Sequence, residues 1–353
     1  MRASDRPEVR VDPLSGLRVI VAHGRAARPG GWLAASDRAG PDLVGSDPFA
    51  EGNESATPPE VDAVRPGGSA PDTPGWQVRV VPNKFPALVP AGEGGPARPV
   101  DGSNGTTLEL DPFGGRGEVE LFAAAPAVGA HEVIVNSPRP VTTLAALALE
   151  ELRVAVSVWQ RRMRINRARG YPQLIVNEGR AAGASLTHTH AQLYVLPFLP
   201  QLVARERERF TAYYERTQGR NLLADLVQAE VRTSERVVWV DEQCVAFCPF
   251  AARAAFHVVI APRRPAARFE DDEPPARALW ATLKKLRHAC GGDPPLNLFV
   301  RTAPDGAQAF CWRIELLPRL AQPAGLELGA GVHVCPLAPE RAAALLRAAD
   351  PKL

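Results

Sequence analysis

Two histidines and a glutamine stand at alternate positions, His188, His190 and Gln192, at the end of the segment Asn177-Glu-Gly-Arg-Ala-Ala-Gly-Ala-Ser-Leu-Thr-His-Thr-His-Ala-Gln192. On a strand, side chains alternate faces, so these three project from one side and Thr189, Ala191, Leu193 and Val195 from the other. An imidazole of ordinary basicity is largely uncharged at neutral pH and therefore nucleophilic. Attack on phosphorus gives a phosphoramidate, which divides one displacement between two anions into two steps. The preceding loop supplies what a phosphate needs: Gly183 lets backbone approach closely, Ser185 offers a hydroxyl, and loop amides can donate. A bare His-x-His on a strand reads equally well as a structural polar pair or as metal ligands; the loop and the amide favour catalysis.

The elements that must hold these residues follow from the patterning. Pro and Gly crowd the first 120 residues, leaving short strands expected over 17–22, 76–81, 119–123 and 131–136. A helix is expected over 143–169, then a strand over 173–177, a loop over 178–186 and a strand over 187–196. Helices over 201–218 and 222–231 lead to a second block that echoes the first. His131-Glu-Val-Ile-Val resembles His257-Val-Val-Ile-Ala, Gln173-Leu-Ile-Val-Asn resembles Asn297-Leu-Phe-Val-Arg, and Val195-Leu-Pro resembles Leu316-Leu-Pro. Three echoes in one order indicate a duplicated strand–helix–strand–strand unit. Aligning the two Leu-Pro dipeptides sets Ala309, Cys311 and Arg313 opposite His188, His190 and Gln192, so one repeat alone carries the chemistry. His131 and His257, at equivalent places, read as core or hydrogen-bonded histidines.

Composition excludes several classes. The chain has 353 residues, enough for two packed units. Its longest nearly apolar stretch, 121–130, is too short to span a bilayer, which takes roughly 18 residues. A net charge of +2 gives no field for a dedicated nucleic-acid binder. Five arginines between 161 and 169 read as a solvated helix end complementing the macrodipole rather than as an anion patch. Five cysteines without dense spacing argue against a disulfide framework and read as buried small hydrophobes. The N-terminus carries no apolar signal region, and a cytoplasmic location is expected.

The segment 177–192 resembles the active-site signature of the galactose-1-phosphate uridylyltransferase family, a branch of the histidine-triad superfamily with a His-x-His-x-Gln motif. Asp12-Pro-Leu-Ser-Gly with Gly24-Arg-Ala-Ala-Arg-Pro29, Val81-Pro-Asn-Lys-Phe-Pro-Ala-Leu88 and Ala324-Gly-Leu-Glu-Leu-Gly329 resemble further family segments in the family's order. The resemblance implies an α+β protein of two histidine-triad-like halves, each a mostly antiparallel sheet packed with helices. We place them at 10–198, which holds the site, and 199–350, which is degenerate. It implies a nucleotidyltransferase working by ping-pong transfer between a UDP-sugar and a sugar 1-phosphate, with galactose 1-phosphate the first choice of acceptor. Alternatives are a nucleotide-sugar phosphorylase or hydrolase, and an inactive nucleotide-binding protein. Gln192 favours transfer, since the hydrolytic branch carries a third histidine there.

By the same resemblance His190 is the nucleophile, Gln192 an amide on the phosphoryl oxygens, and Ser185 a hydroxyl on the sugar-linked phosphate. Asn177, Gly183 and Ala184 lie on the phosphate loop. Arg25 and Arg28 contact sugar phosphate and nucleotide, Asn83 the ribose or base, and Glu327 a hexose hydroxyl of the partner subunit's substrate, which implies a homodimer. His23 and His333 are weaker candidates for substrate contacts. Many members hold a structural zinc, and here Asp47, Ala50 and Pro140 stand where three of its ligands would be, leaving His188 alone. A second metal site of some members falls on Cys311-Trp-Arg313. No tightly bound metal or other cofactor is therefore expected.

Overall fold

The Pro- and Gly-bounded runs of β-branched residues form most of the expected strands. The computed structural model describes residues 6–22, 47–90 and 126–349. The strand expected over 119–123, and His23, Arg25 and Arg28, lie outside the described residues.

The strands are β1 (Glu8–Val11), β2 (Arg18–Val21), β3 (Asp62–Val64), β4 (Val78–Pro82), β5 (Ala130–Val135), β6 (Tyr171–Glu178) and β7 (His190–Leu196). The second series is β8 (Val237–Val240), β9 (Cys244–Phe247), β10 (Val258–Pro262), β11 (Leu296–Arg301), β12 (Arg313–Pro318) and β13 (His333–Cys335). One sheet of ten antiparallel strands runs β3-β4-β5-β7-β6-β11-β12-β10-β9-β8, and a small sheet runs β1-β2-β13. The large sheet reads alike from both ends. Its halves meet at β6 and β11, where Ile175 faces Phe299, giving the mixed α+β architecture of two mostly antiparallel halves.

The ladders correct one expectation. Ile175 faces Gln192 and Phe299 faces Glu315, while Val133 and Val259, each two residues past its echoed histidine, also face Gln192 and Glu315. Gln192 is therefore matched by Glu315, His190 by Arg313 and His188 by Cys311. The Leu-Pro alignment is two residues out because β12 stays paired through Pro318, opposite Leu296, whereas β7 ends at Leu196, before its proline.

Helix α1 (Leu149–Asn166) starts later than expected, because Leu144–Ala146 forms a separate 3-10 turn and Glu151 caps the helix by accepting the Ala148 N–H at 2.8 Å. With α4 (Ala276–Ala289) and α6 (Pro339–Ala348) it buries one face of the sheet, packing Leu152, Val156, Leu279 and Leu283 against Ile134, Leu174, Leu193 and Ile314. The opposite face is treated unequally. Helices α2 (Gln201–Arg216) and α3 (Leu222–Thr233) cover its second half, setting Val203, Phe210 and Val227 against Val245, Phe247 and Val259. On the first half Phe49, Trp76 and Leu186 form a small cluster with Val81, Val133 and Val135. A short helix, α5 (Gly325–Ala330), precedes β13.

The arginine run at the end of α1 is spent on structure. Arg161 reaches Asp62 and Arg162 reaches Glu132, at 2.8 and 2.7 Å; Arg164 and Arg167 share Asp271, and Arg169 donates to Asn166. The cysteines are free thiols packed as small hydrophobes, four of them buried. Burial pushes Cys290 and Cys311 up to about 12. No helix among the described residues is long and apolar enough to cross a membrane.

Candidate active site

Strand β7 begins at His190 rather than at 187, and His188 precedes it in the buried chain leading in. The two rings still share a face, since Phe49 meets both edge-on at centroid separations of 6.2 and 5.1 Å. Ala191, Leu193 and Val195 enter the core on the other side. His190 Nδ1 lies 2.8 Å from the His188 carbonyl. A carbonyl only accepts, so Nδ1 carries the proton and Nε2 keeps its lone pair. Burial lowers the basicity of the ring, against the opposing effect of that carbonyl, so the nucleophilic form persists below the usual histidine range.

Gln192, two residues on, is held from behind. Its Oε1 lies 3.0 Å from His131 Nε2 and accepts the Tyr194 hydroxyl at 3.0 Å, and the His131 and Tyr194 rings stack at 4.0 Å. Asn83 joins this group: its Oδ1 accepts the Phe85 N–H at 2.8 Å, and its Nδ2 sits 3.1 Å from His131 Nε2. The loop expected to hold phosphate turns at Gly183, whose φ of 87° is the left-handed conformation that favours glycine. A side chain there would meet nothing, so the backbone angle alone selects the residue. Ser185 is exposed on this loop and Ala184 partly so. Asn177 is anchored by Asn297, which faces it across the β6–β11 ladder, donates to its Oδ1 at 2.8 Å and donates to the Ala182 carbonyl at 2.7 Å. Sequence reading missed Asn297, whose signal was its place in the echo of Gln173–Asn177.

Glu178 was also missed. Its buried carboxyl accepts the Leu144 N–H at 2.6 Å and the Thr189 hydroxyl at 3.3 Å, next to His188 and His190 in the chain. Burial pushes it up to about 8. Between about 4.5 and 8 the folded chain therefore holds a proton that the unfolded chain releases, and stability falls as pH rises through that window. Glu178→Gln keeps the carbonyl acceptor and removes the titration. Urea unfolding at pH 5 and pH 8 should show the variant losing less stability on alkalinisation, by up to about 1.4 kcal/mol per pH unit.

This geometry agrees with the match of residues 1–200 to the family model described as galactose-1-phosphate uridyl transferase, N-terminal domain. The chain belongs to the galactose-1-phosphate uridyl transferase family. It is similar to the ADP-glucose phosphorylase of Arabidopsis thaliana, 27% identical over 97% of this chain and 92% of the relative. The crystal structure of an Arabidopsis ADP-glucose phosphorylase with bound ADP-glucose superposes with a TM-score of 0.77, at 25% identity, covering 97% of this chain and 98% of that one. A probable galactose-1-phosphate uridylyltransferase of Drosophila melanogaster is 29% identical over 76% of this chain and 69% of its own length. The chain is thus an enzyme of the nucleotidyl transferase and phosphorylase type.

Of the four positions that resemble the family's zinc ligands, Asp47 and His188 come together. Asp47 Oδ2 lies 2.7 Å from His188 Nδ1, and His188 Nε2 lies 2.7 Å from the Ser137 carbonyl. The Glu51 N–H reaches the Pro138 carbonyl, drawing the same turns together. Ala50 and Pro140 bring no ligand, and both His188 nitrogens already face oxygen. No cluster of three or more His, Cys, Asp or Glu suited to a metal occurs among the described residues.

The Glu327 carboxylate accepts the Ala324 N–H at 2.9 Å and the Val334 N–H at 3.3 Å, within its own segment. His333 pairs in register with Val19, at the edge of the small sheet.

Proposed function

We propose that this enzyme moves a nucleoside monophosphate from a nucleotide sugar to an anionic acceptor through a covalent intermediate on His190. The observation that carries this reading is the free Nε2 of a buried His190 whose Nδ1 proton is fixed on the His188 carbonyl. Nε2 attacks the α-phosphorus, the N–P bond forms, and the P–O bond to the sugar phosphate breaks to release sugar 1-phosphate. An acceptor oxygen then attacks the same phosphorus and the N–P bond breaks, returning the imidazole. Gln192 and the loop at Gly183 donate to the phosphoryl oxygens, and Ser185 contacts the departing phosphate.

For the acceptor and base, phosphorolysis of an ADP-sugar is favoured by the similarity to the Arabidopsis ADP-glucose phosphorylase along nearly all of both chains. Uridylyl transfer to galactose 1-phosphate, with UDP-glucose as donor, is the second reading, favoured by the matching family model. Incubation with ADP-glucose and UDP-glucose labelled in the α-phosphate tests both. An acid-labile, base-stable adduct chased by inorganic phosphate supports the first reading, and a chase by galactose 1-phosphate alone supports the second. Absence of any adduct overturns the nucleophile.

Glu327 is read here as serving the site of a second copy of the chain. It lies on a short helix whose Leu328 is 79% exposed, and its carboxylate accepts the Ala324 and Val334 N–H groups of its own segment. The Asp47–His188 contact is read as taking the place of a structural zinc, steadying the residue whose carbonyl sets the His190 proton. Protein purified without chelators is then expected to hold far less than one zinc per chain by elemental analysis. Asp47→Ala is expected to slow adduct formation about tenfold, as loss of an orienting partner does. Stoichiometric zinc, or an unchanged rate in that variant, would sink the substitution.

A further inference from the structure

A glutamine amide can sit two ways, related by a half-turn that exchanges its oxygen and nitrogen, and only one presents N–H groups to a phosphoryl oxygen. The surroundings of His131 decide between them. The Ala87 backbone N–H donates to His131 Nδ1 at 3.1 Å. A backbone N–H cannot accept, so Nδ1 is bare and the single proton of the neutral ring is on Nε2. Two groups lie by that nitrogen: Asn83 Nδ2, which is itself a donor, and Gln192 Oε1 at 3.0 Å. Gln192 Oε1 is the acceptor of the pair, and the Tyr194 hydroxyl gives it a second hydrogen bond. With its oxygen fixed by two donors, the Gln192 NH2 group is turned the other way.

The second half repeats the arrangement. The Arg253 N–H donates to His257 Nδ1 at 3.2 Å, and His257 Nε2 lies 3.2 Å from Glu315 Oε2. Gln192 and Glu315 stand at matching ladder positions, facing Val133 and Val259. The second half has no nucleophile, since Arg313 occupies the matching place, yet the backbone N–H, the histidine and the clamped oxygen all recur. The clamp therefore belongs to the duplicated unit, and the clamped side chain differs between halves: an amide with free N–H groups in one, a carboxylate that pairs with Arg313 in the other.

We propose that His131 is a positioning residue that locks the Gln192 amide with its N–H groups toward the reacting phosphoryl. This rests on the nucleotidyl-transfer reading of the site. His131→Phe keeps a ring against Tyr194 and removes the Nε2 donor, whereas His131→Gln restores an N–H near that place. Single-turnover adduct formation should fall about tenfold in His131→Phe, the scale of one oriented hydrogen bond, and recover most of the loss in His131→Gln. In a Gln192→Ala background, His131→Phe should cost no more than twofold further, because the group it orients is gone.

An equal loss in both backgrounds, or failure of His131→Gln to recover the rate, would overturn the positioning role. Nitrogen-15 spectra of the histidine rings test the clamp without turnover: the His131 proton should be on Nε2 near neutral pH, and a proton on Nδ1 overturns the proposal. Wild-type protein that forms no adduct while showing the Nε2 tautomer overturns the transfer reading and with it the catalytic role given to the clamp.

Discussion

Replacing His190 with alanine is expected to abolish the covalent adduct and to lower turnover by about 10⁴-fold or more, with little change in thermal midpoint. Its magnitude follows from the lack of a substitute. His188 shares the face, but both of its ring nitrogens are engaged, by Asp47 and by the Ser137 carbonyl. His131 is turned away, with Nδ1 on the Ala87 N–H and Nε2 on Gln192. The buried side chain of His190 packs on Phe49, on the face of the sheet opposite the main helix-covered core, so its removal leaves that core intact. Quenched-flow labelling with an α-phosphate-labelled nucleotide sugar reads the adduct, and a calorimetric scan reads the fold. Persistence of the adduct in His190→Ala would move the nucleophile to another residue.

Strand β7 and the loop before it were legible because everything that defines them is local. Alternation assigns the faces of 188–195, and the glycine signals the loop. The mirrored sheet was legible as an echo, since both copies kept the His-Val-Ile-type strand and the Leu-Ile/Phe-Val strand. Its register was not, because Pro197 and Pro318 mark strand ends whose pairing depends on neighbouring strands remote in sequence. The partners that orient the chemistry were illegible for the same reason. His131 and Gln192 are 61 residues apart, Asp47 and His188 are 141 apart, and Asn297 reaches Asn177 from the other half. No pattern within either segment encodes those meetings. The arginine run misled in a milder way: a solvated end was expected, and tertiary packing instead supplied Asp62, Glu132 and Asp271 as partners.

The second large effect is expected at the position that mirrors His190. Arg313 is 1% exposed and stands where β7 carries His190. Glu206 descends from α2 to meet it at 2.7 Å, and Glu315 pairs with it at 2.8 Å. Burial opposes the guanidinium charge, but the two carboxylates more than offset it. Burial likewise opposes ionisation of Glu315, which Arg253 and Arg313 nevertheless hold well below the usual carboxylate range. Arg313→Met would leave these carboxylates buried with too little compensating charge, and should lower the unfolding free energy by about 3–5 kcal/mol, read from urea midpoints. Adding Glu206→Leu should restore part of that loss, because it removes one of the stranded charges, whereas additive losses would show that Arg313 acts through packing alone. At temperatures where Arg313→Met remains folded, adduct formation on His190 should stay within about twofold of wild type. The two substitutions thus separate what duplication combined in one sheet. In the first half a buried ring with a free Nε2 is the proposed nucleophile, and under α2 a guanidinium at the same ladder position is bound to internal carboxylates and is expected to supply stability.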